Sequence, residues 1–294
     1  MPSDAGEARA NLDTSTVEGF GAEWQRFDQS QLDDAEARSH FEKYFSLVPP
    51  ASLPVDAIVM DVGCGSGRWS RILAPSVGTL HLVDASTEAL GVARRNLADV
   101  PNCLFHEASV AALPVPDGTM DLVYSLGVLH HVPDTAAAIR ECARKLKPGA
   151  PILLYLYYAF DQRPRWFRLL WRATDAVRRR VSRLPFGRRK LVAEVIAFAV
   201  YLPLARLSRL VELLHRDPSV VPLSFYRSAS FYTMRTDALD RFGTGLEQRF
   251  TREQISRMLT DAGIEGIRFR EGEPFWCVTG TRPASGAASP SSAG

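Results

Sequence analysis

Cysteine is scarce in this chain. Its four residues, Cys64, Cys103, Cys142 and Cys277, form no C-x-x-C pair. That spacing favours neither a disulfide framework nor a zinc site, and it suits a reducing compartment. No H-E-x-x-H, Cys/His cluster or acidic pair points to a metal. The phosphate-cradling G-x-x-x-x-G-K-[ST] pattern is also absent. Neither sign of charge dominates: 35 Lys/Arg against 33 Asp/Glu leave a net +2. A chain-wide nucleic-acid role is therefore not expected. Residues 1–7 lack the basic and apolar regions of a signal peptide. The apolar run at 191–204 has 14 residues and contains Glu194 and Pro203, whereas a spanning helix needs about 20. These absences predict a cytoplasmic protein.

What is present can build a substantial core. The chain has 294 residues, 46% of them hydrophobic, enough for one large domain or one and a half. Residues 1–16 and 283–294 read as disordered tails.

The densest signal is Ala57-Ile58-Val59-Met60-Asp61-Val62-Gly63-Cys64-Gly65-Ser66-Gly67-Arg68. An apolar run of this kind predicts a buried parallel strand. The glycines allow a tight turn and close backbone approach to a ligand. Trp69-Ser70-Arg71-Ile72-Leu73 can then open a helix. A small molecule held at such a strand–helix junction sits at the carboxyl edge of a sheet. The dinucleotide fingerprint G-x-G-x-x-G is not met, because Arg68 occupies the third glycine's place. Thr79-Leu80-His81-Leu82-Val83-Asp84 predicts a second strand ending in an acid, 21 positions after Gly63. A carboxylate at that distance can accept from both hydroxyls of a ribose. Ser86 or Thr87 caps the next helix.

Two further segments follow at strand–helix spacing. One is Cys103-Leu104-Phe105-His106 with Glu107-Ala108-Ser109-Val110 and, further on, Leu113-Pro114. The other is Met120-Asp121-Leu122-Val123-Tyr124-Ser125-Leu126-Gly127-Val128-Leu129-His130-His131-Val132-Pro133-Asp134. In this order the four segments resemble class I S-adenosylmethionine-dependent methyltransferases, in particular the type 11-like group that includes ubiquinone/menaquinone and small-molecule enzymes. The resemblance covers roughly 55–158 and implies a doubly wound, Rossmann-like α/β fold. Its seven-stranded sheet would be mostly parallel, with an antiparallel last strand. The implied cofactor is S-adenosyl-L-methionine, held by Asp61, Gly63, Gly65, Gly67, Asp84, Ala85, Ser109, Val110, Ser125 and Leu126. Ser109 stands where the family often has the acid that accepts from the adenine amine. Met120 replaces the usual Phe.

Outside that core, residues 17–54 read as an N-terminal helical arm. Its Phe20-Gly21-Ala22-Glu23-Trp24-Gln25-Arg26-Phe27 segment either closes over the site or simply packs on the domain. Residues 159–224 read as a helical insertion after the fifth strand. Within 161–216 fourteen Arg/Lys face four acids, a local charge near +10. Trp166, Phe167, Leu169, Leu170 and Trp171 mix with these arginines at helical spacing. The segment is expected to be a cap over the catalytic domain or a homodimer contact. The alternative is a basic amphipathic surface on anionic lipid through 163–216. Residues 225–282 should return the chain to the sheet, with a capping box at Thr251-Arg252-Glu253-Gln254 and two closing strands.

The expected activity is methyl transfer to a small-molecule acceptor, first a hydroxyl of a sugar or secondary metabolite. A lipid or quinone acceptor at a membrane surface is the alternative, as is a cofactor-binding regulatory protein without turnover. His130 or His131 is a candidate base, since imidazole titrates near neutrality. Tyr158, Tyr226, Arg227, Tyr232 and Arg235 are candidate substrate contacts. No metal and no nucleic-acid partner are expected.

Overall fold

The computed structural model describes residues 11–29, 32–160, 164–272 and 276–284. Its centre is the strand β1 (Ile58–Val62), whose last four residues are buried. β1 pairs in parallel with β2 (Thr79–Asp84) on one side and with β4 (Leu122–Leu126) on the other. β3 (Cys103–Glu107) joins β2, and β5 (Pro151–Tyr155) joins β4, both in parallel. β7 (Cys277–Thr281) then runs antiparallel between β5 and β6 (Glu265–Phe269). The order β3-β2-β1-β4-β5-β7-β6 reverses between β1 and β4. The crevice for a ligand opens at the carboxyl ends of those two strands. The expected mostly parallel seven-stranded α/β sheet is therefore the fold.

Side chains alternate across the strands with period two. Met60, Val123, Ile152 and Val278 pack under α5 (Thr135–Lys145) and α9 (Arg252–Asp261), against Ile139, Leu146, Ile255 and Leu259. On the other face, Val59, Leu80, Leu82, Leu122 and Leu153 meet Phe45, Leu73 and Leu90. The last two lie on α3 (Arg68–Leu73) and α4 (Thr87–Asn96). Leu259 is fully buried, so its truncation to Ala should cost about 2–5 kcal/mol. α5 starts where the Asp134 carboxylate accepts from Ala137 N, and α9 starts at the expected capping box.

The first sixteen residues do not all form a tail. α1 (Thr14–Arg26) begins at Asp13, whose carboxylate accepts from Thr16 N. Asn11 donates to Asp134 O and accepts from Asp134 N, both at 2.7 Å. This paired amide contact pins the arm to the loop after β4, a side-chain match across 123 positions that no local pattern shows. α2 (Asp34–Tyr44) follows the arm. Residues 1–10 and 285–294 lie outside the described residues.

The insertion holds α6 (Arg165–Val181) and a continuous helix α7 (Phe186–Leu213) of 28 residues. The apolar run read from sequence has 14 residues; the helix is twice that length and continues through Pro203, with a π turn at Ala197–Tyr201 just before it. Ala193, Ala197, Tyr201 and Ala205 of α7 pack on Met234, Ala238, Leu239 and Phe242 of α8 (Phe231–Gly243). The boundary drawn at 224 thus cuts through one helical layer, because α8 shares a core with the insertion rather than with the sheet.

Candidate active site

The loop after β1 is built by its glycines. Gly63, Gly65 and Gly67 all have left-handed φ, at 77°, 54° and 75°. A Cβ on Gly63 would lie 2.4 Å from the Val128 side chain, and one on Gly65 2.9 Å from the Trp24 ring. Glycine is therefore required at both for steric as well as backbone reasons. Val83 O accepts from Gly63 N and Cys64 N, at 2.8 and 3.1 Å, which fastens the loop to β2. The Asp84 carboxylate accepts from Gly65 N and Ser86 N, each at 2.9 Å. A carboxylate oxygen has two acceptor sites, so Asp84 retains capacity for ligand hydroxyls. Burial pushes its carboxyl above the usual range, while these backbone N–H donors pull it back.

The loop forms one wall of a cavity of about 350 Å³. Gly63, Gly65, Asp84, Ala85, Val110 and Leu126 line it, as expected of a cofactor cradle. Ser66 also lines it, and the buried Ser66 hydroxyl has no hydrogen-bond partner. A cradle that a Cβ would fill suits the close backbone approach of a ligand such as an adenosyl group.

Four expected cofactor residues lie elsewhere. Asp61 sits behind the loop, where its Oδ2 accepts from the Ser70 and Tyr124 hydroxyls at 2.6 and 2.9 Å. Burial drives its pKa up to about 7, against those two bonds. Asp61 therefore braces β1, β4 and α3. Gly67 lies at the start of α3 against Leu97. Ser125 donates to Val62 O at 2.8 Å, a strap between β4 and β1. The Ser109 hydroxyl accepts from Ala111 N in a local turn. It is not among the cavity residues; the adjoining wall is Ala108 and Val110.

The rest of the cavity is aromatic and acidic. Tyr44, Tyr155, Tyr157, Tyr201, Phe225 and Tyr226 line it together with Asp237 and Asp240 of α8. The two acids are three apart on one helical face. Tyr226 OH donates to Asp237 at 2.9 Å and Tyr157 OH to Asp240 at 3.1 Å. Burial pushes both carboxyls up to about 6; for Asp240 the neighbouring Glu247 charge adds to it. Neither acid was singled out from sequence, although their spacing inside the aromatic 225–241 segment was a usable signal. Arg68, Arg241 and Arg249 also reach the cavity.

The two histidines separate. His130 is fully buried, stacks on Tyr157 at 3.8 Å, and neither ring nitrogen has a partner. It does not line the cavity, so a role as base does not follow for it. His131 does line it. Its Nδ1 lies 2.7 Å from Leu246 O. A carbonyl can only accept, so Nδ1 carries the proton and Nε2 is left as the bare nitrogen. Nε2 stands 4.0 Å from Asp240 Oδ1. Burial lowers the His131 pKa to about 4 and keeps the ring neutral.

Among expected substrate contacts, Tyr158 and Tyr226 line the cavity. Arg227, Tyr232 and Arg235 do not. Arg227 pairs with Glu212 at 2.9 Å. Tyr232 OH accepts from Gln29 N, and Arg235 lies over the Phe27 and Tyr232 rings. All three hold the helical layer or the arm in place. The arm itself closes one side: Phe20 meets the His131 ring edge-on at 5.1 Å, and Trp24 covers Gly65.

Residues 60–154 match the family described as "Methyltransferase domain". A ubiquinone biosynthesis O-methyltransferase of Albidiferax ferrireducens is 41% identical over 94 residues, which are 31% of this chain and 37% of that protein. An uncharacterized methyltransferase of Bacillus subtilis is 31% identical over 115 residues, 38% of this chain and 46% of that protein. The chain thus spans under half the length of these curated relatives. A crystal structure of a putative S-adenosyl-L-methionine-dependent methyltransferase of Methanococcus maripaludis has the same fold. It aligns at a TM-score of 0.52 and 15% identity, over 94% of this chain and 98% of that one. Sheet order, glycine loop, terminal acid of β2 and family match agree: residues 60–154 carry a class I, Rossmann-like methyltransferase domain.

Proposed function

We propose that the chain transfers a methyl group from S-adenosyl-L-methionine to a hydroxyl of a small, largely apolar or aromatic acceptor. One observation carries this reading. The Gly63–Gly65–Asp84 cradle opens into the same cavity as the tyrosine-lined chamber with Asp237 and Asp240. Asp84 would accept from the ribose hydroxyls, and Ala85 and Val110 would flank the adenine. When bound, the cofactor supplies an electrophilic sulfonium methyl. The chain's own contribution is mostly positioning, because an in-line displacement gains most from holding its partners aligned.

Asp240 supplies the proton acceptor. An acceptor hydroxyl in the cavity can bond to its carboxylate, while His131 Nε2, 4.0 Å from Oδ1, is buried and without a hydrogen-bond partner. Asp240 titrates closer to neutrality than His131, and a base works best near the operating pH. We assign deprotonation to Asp240, with the neutral His131 ring packed beside it. The aromatic lining fits a flat or apolar acceptor better than a sugar, whose hydroxyls need many polar partners. A lipid or quinone acceptor agrees with the same lining.

The test is transfer of labelled methyl from S-adenosyl-L-methionine to a panel of phenols, catechols and sugars. Labelled phenol or catechol ethers, lost in Asp240→Asn, are the expected result. Transfer confined to sugars would overturn the acceptor class. Transfer undiminished in Asp240→Asn would overturn the base.

A further inference from the structure

The helical layer leaves two apolar stripes outward. On α6, Trp166, Leu170 and Val177 recur at helical spacing and are 54%, 47% and 46% exposed. Arg165, Arg168, Arg172 and Arg179 flank them on the same helix. On α7, Leu191, Val195, Phe198 and Leu210 are 62%, 57%, 67% and 52% exposed; the Phe198 ring also meets Phe231 of α8 edge-on at 6.5 Å. Arg188, Arg206 and Arg209 lie toward the two ends of that stripe. Scattered exposed apolar residues are ordinary, but rows of this length on two helices mark a surface that is covered by something.

We infer that this layer docks on an anionic lipid bilayer, lying in its interface. Apolar rows bordered by arginines match an interface of acyl chains beneath negative headgroups. A second copy of the chain would face the same arginines across a twofold contact, which like-charge repulsion opposes. By length and composition α7 could cross a membrane. Its small-residue face, Ala193, Ala197, Ala205 and Ser208, is instead buried, the three alanines against α8. The helix therefore lies flat along the protein. The inference does not depend on methyl transfer. It would also explain how an apolar acceptor arrives, since Tyr201 of α7 lines the cavity while Phe198 points out.

The test uses the full chain with phosphatidylcholine vesicles, with and without about one-third phosphatidylglycerol. Co-sedimentation with the anionic vesicles is expected at low salt, with release at about 0.5 M salt. Replacing Arg168, Arg172 and Arg179 with Gln should weaken binding about a hundredfold, from the typical contribution of each basic residue near such a surface. The exposed double change Val195→Glu/Phe198→Glu should abolish it, with circular dichroism and melting unchanged. No binding to anionic vesicles at low salt overturns the inference. So does a dimer by light scattering that the Glu pair converts to monomer, which assigns the face to a second copy.

Discussion

Replacing Asp84 with Ala removes the one side chain that joins the glycine loop to the place proposed for a ribose. In the structure its oxygens already hold Gly65 N and Ser86 N. A bound ribose adds two hydroxyl donors to the same carboxylate. Hydrogen bonds to a charged acceptor contribute about 1.5–3 kcal/mol each. Two of them give about 3–6 kcal/mol, or roughly a hundredfold to ten-thousandfold in affinity. Loss of the Gly65 anchor loosens the loop and adds to this. Asp84→Asn keeps one acceptor oxygen and should fall between the two. Calorimetric titration with S-adenosyl-L-methionine and with S-adenosylhomocysteine reads the effect, beside a melting curve of each variant without ligand. An affinity for both ligands within about threefold of the parent chain, in a folded variant, would refute the ribose assignment.

The remaining expectations concern the acids, the turn and the core. The Asp240 carboxyl is raised to about 6 from a usual value near 3.8. Its base form therefore accumulates above pH 6, and turnover at saturating substrate should climb between about pH 5 and 7. Asp240→Asn should lose that limb and about 10²–10⁴ of the rate. The sign for stability is opposite: the folded chain holds the proton more tightly, so stability falls as pH rises from about 4 to 6, and the Asn variant lessens that slope in a chemical-denaturation series, leaving the share of Asp237, which is raised to about the same value. Gly63→Ala puts a Cβ into Val128 at a left-handed φ, and should both lower the melting temperature and abolish cofactor binding; a variant that binds normally would contradict the close approach. Leu259→Ala should destabilise the chain by about 2–5 kcal/mol in urea while leaving cofactor affinity unchanged.

Much of the core was legible because its signals are local. The apolar run to Asp61, the glycine spacing and Asp84 all report backbone geometry within a few residues. The structure separates roles that motif spacing cannot. Asp61 and Asp84 both lie at the carboxyl ends of apolar strands, Asp61 one residue before the end of β1, yet one faces the Ser70 and Tyr124 hydroxyls behind the loop and the other faces the cavity. His130 and His131 are adjacent and both buried, yet only His131 lies at the cavity wall. The spacing of Asp237 and Asp240 did not show their role, because their partners, Tyr226, Tyr157 and His131, converge only through packing of the helical layer. The Asn11–Asp134 contact crosses the chain in the same way. The full length of α7 was not legible for a different reason: proline disfavours a continuous helix, and the π turn before Pro203 is a local accommodation that apolar periodicity does not reveal.

The most direct test of the account is a crystal structure with S-adenosylhomocysteine bound. The account predicts the ribose on Asp84, the adenine beside Ala85 and Val110, and the sulfur directed toward Asp240 and His131. A ligand seated away from the Gly63–Gly65 loop, or with its ribose off Asp84, would contradict it.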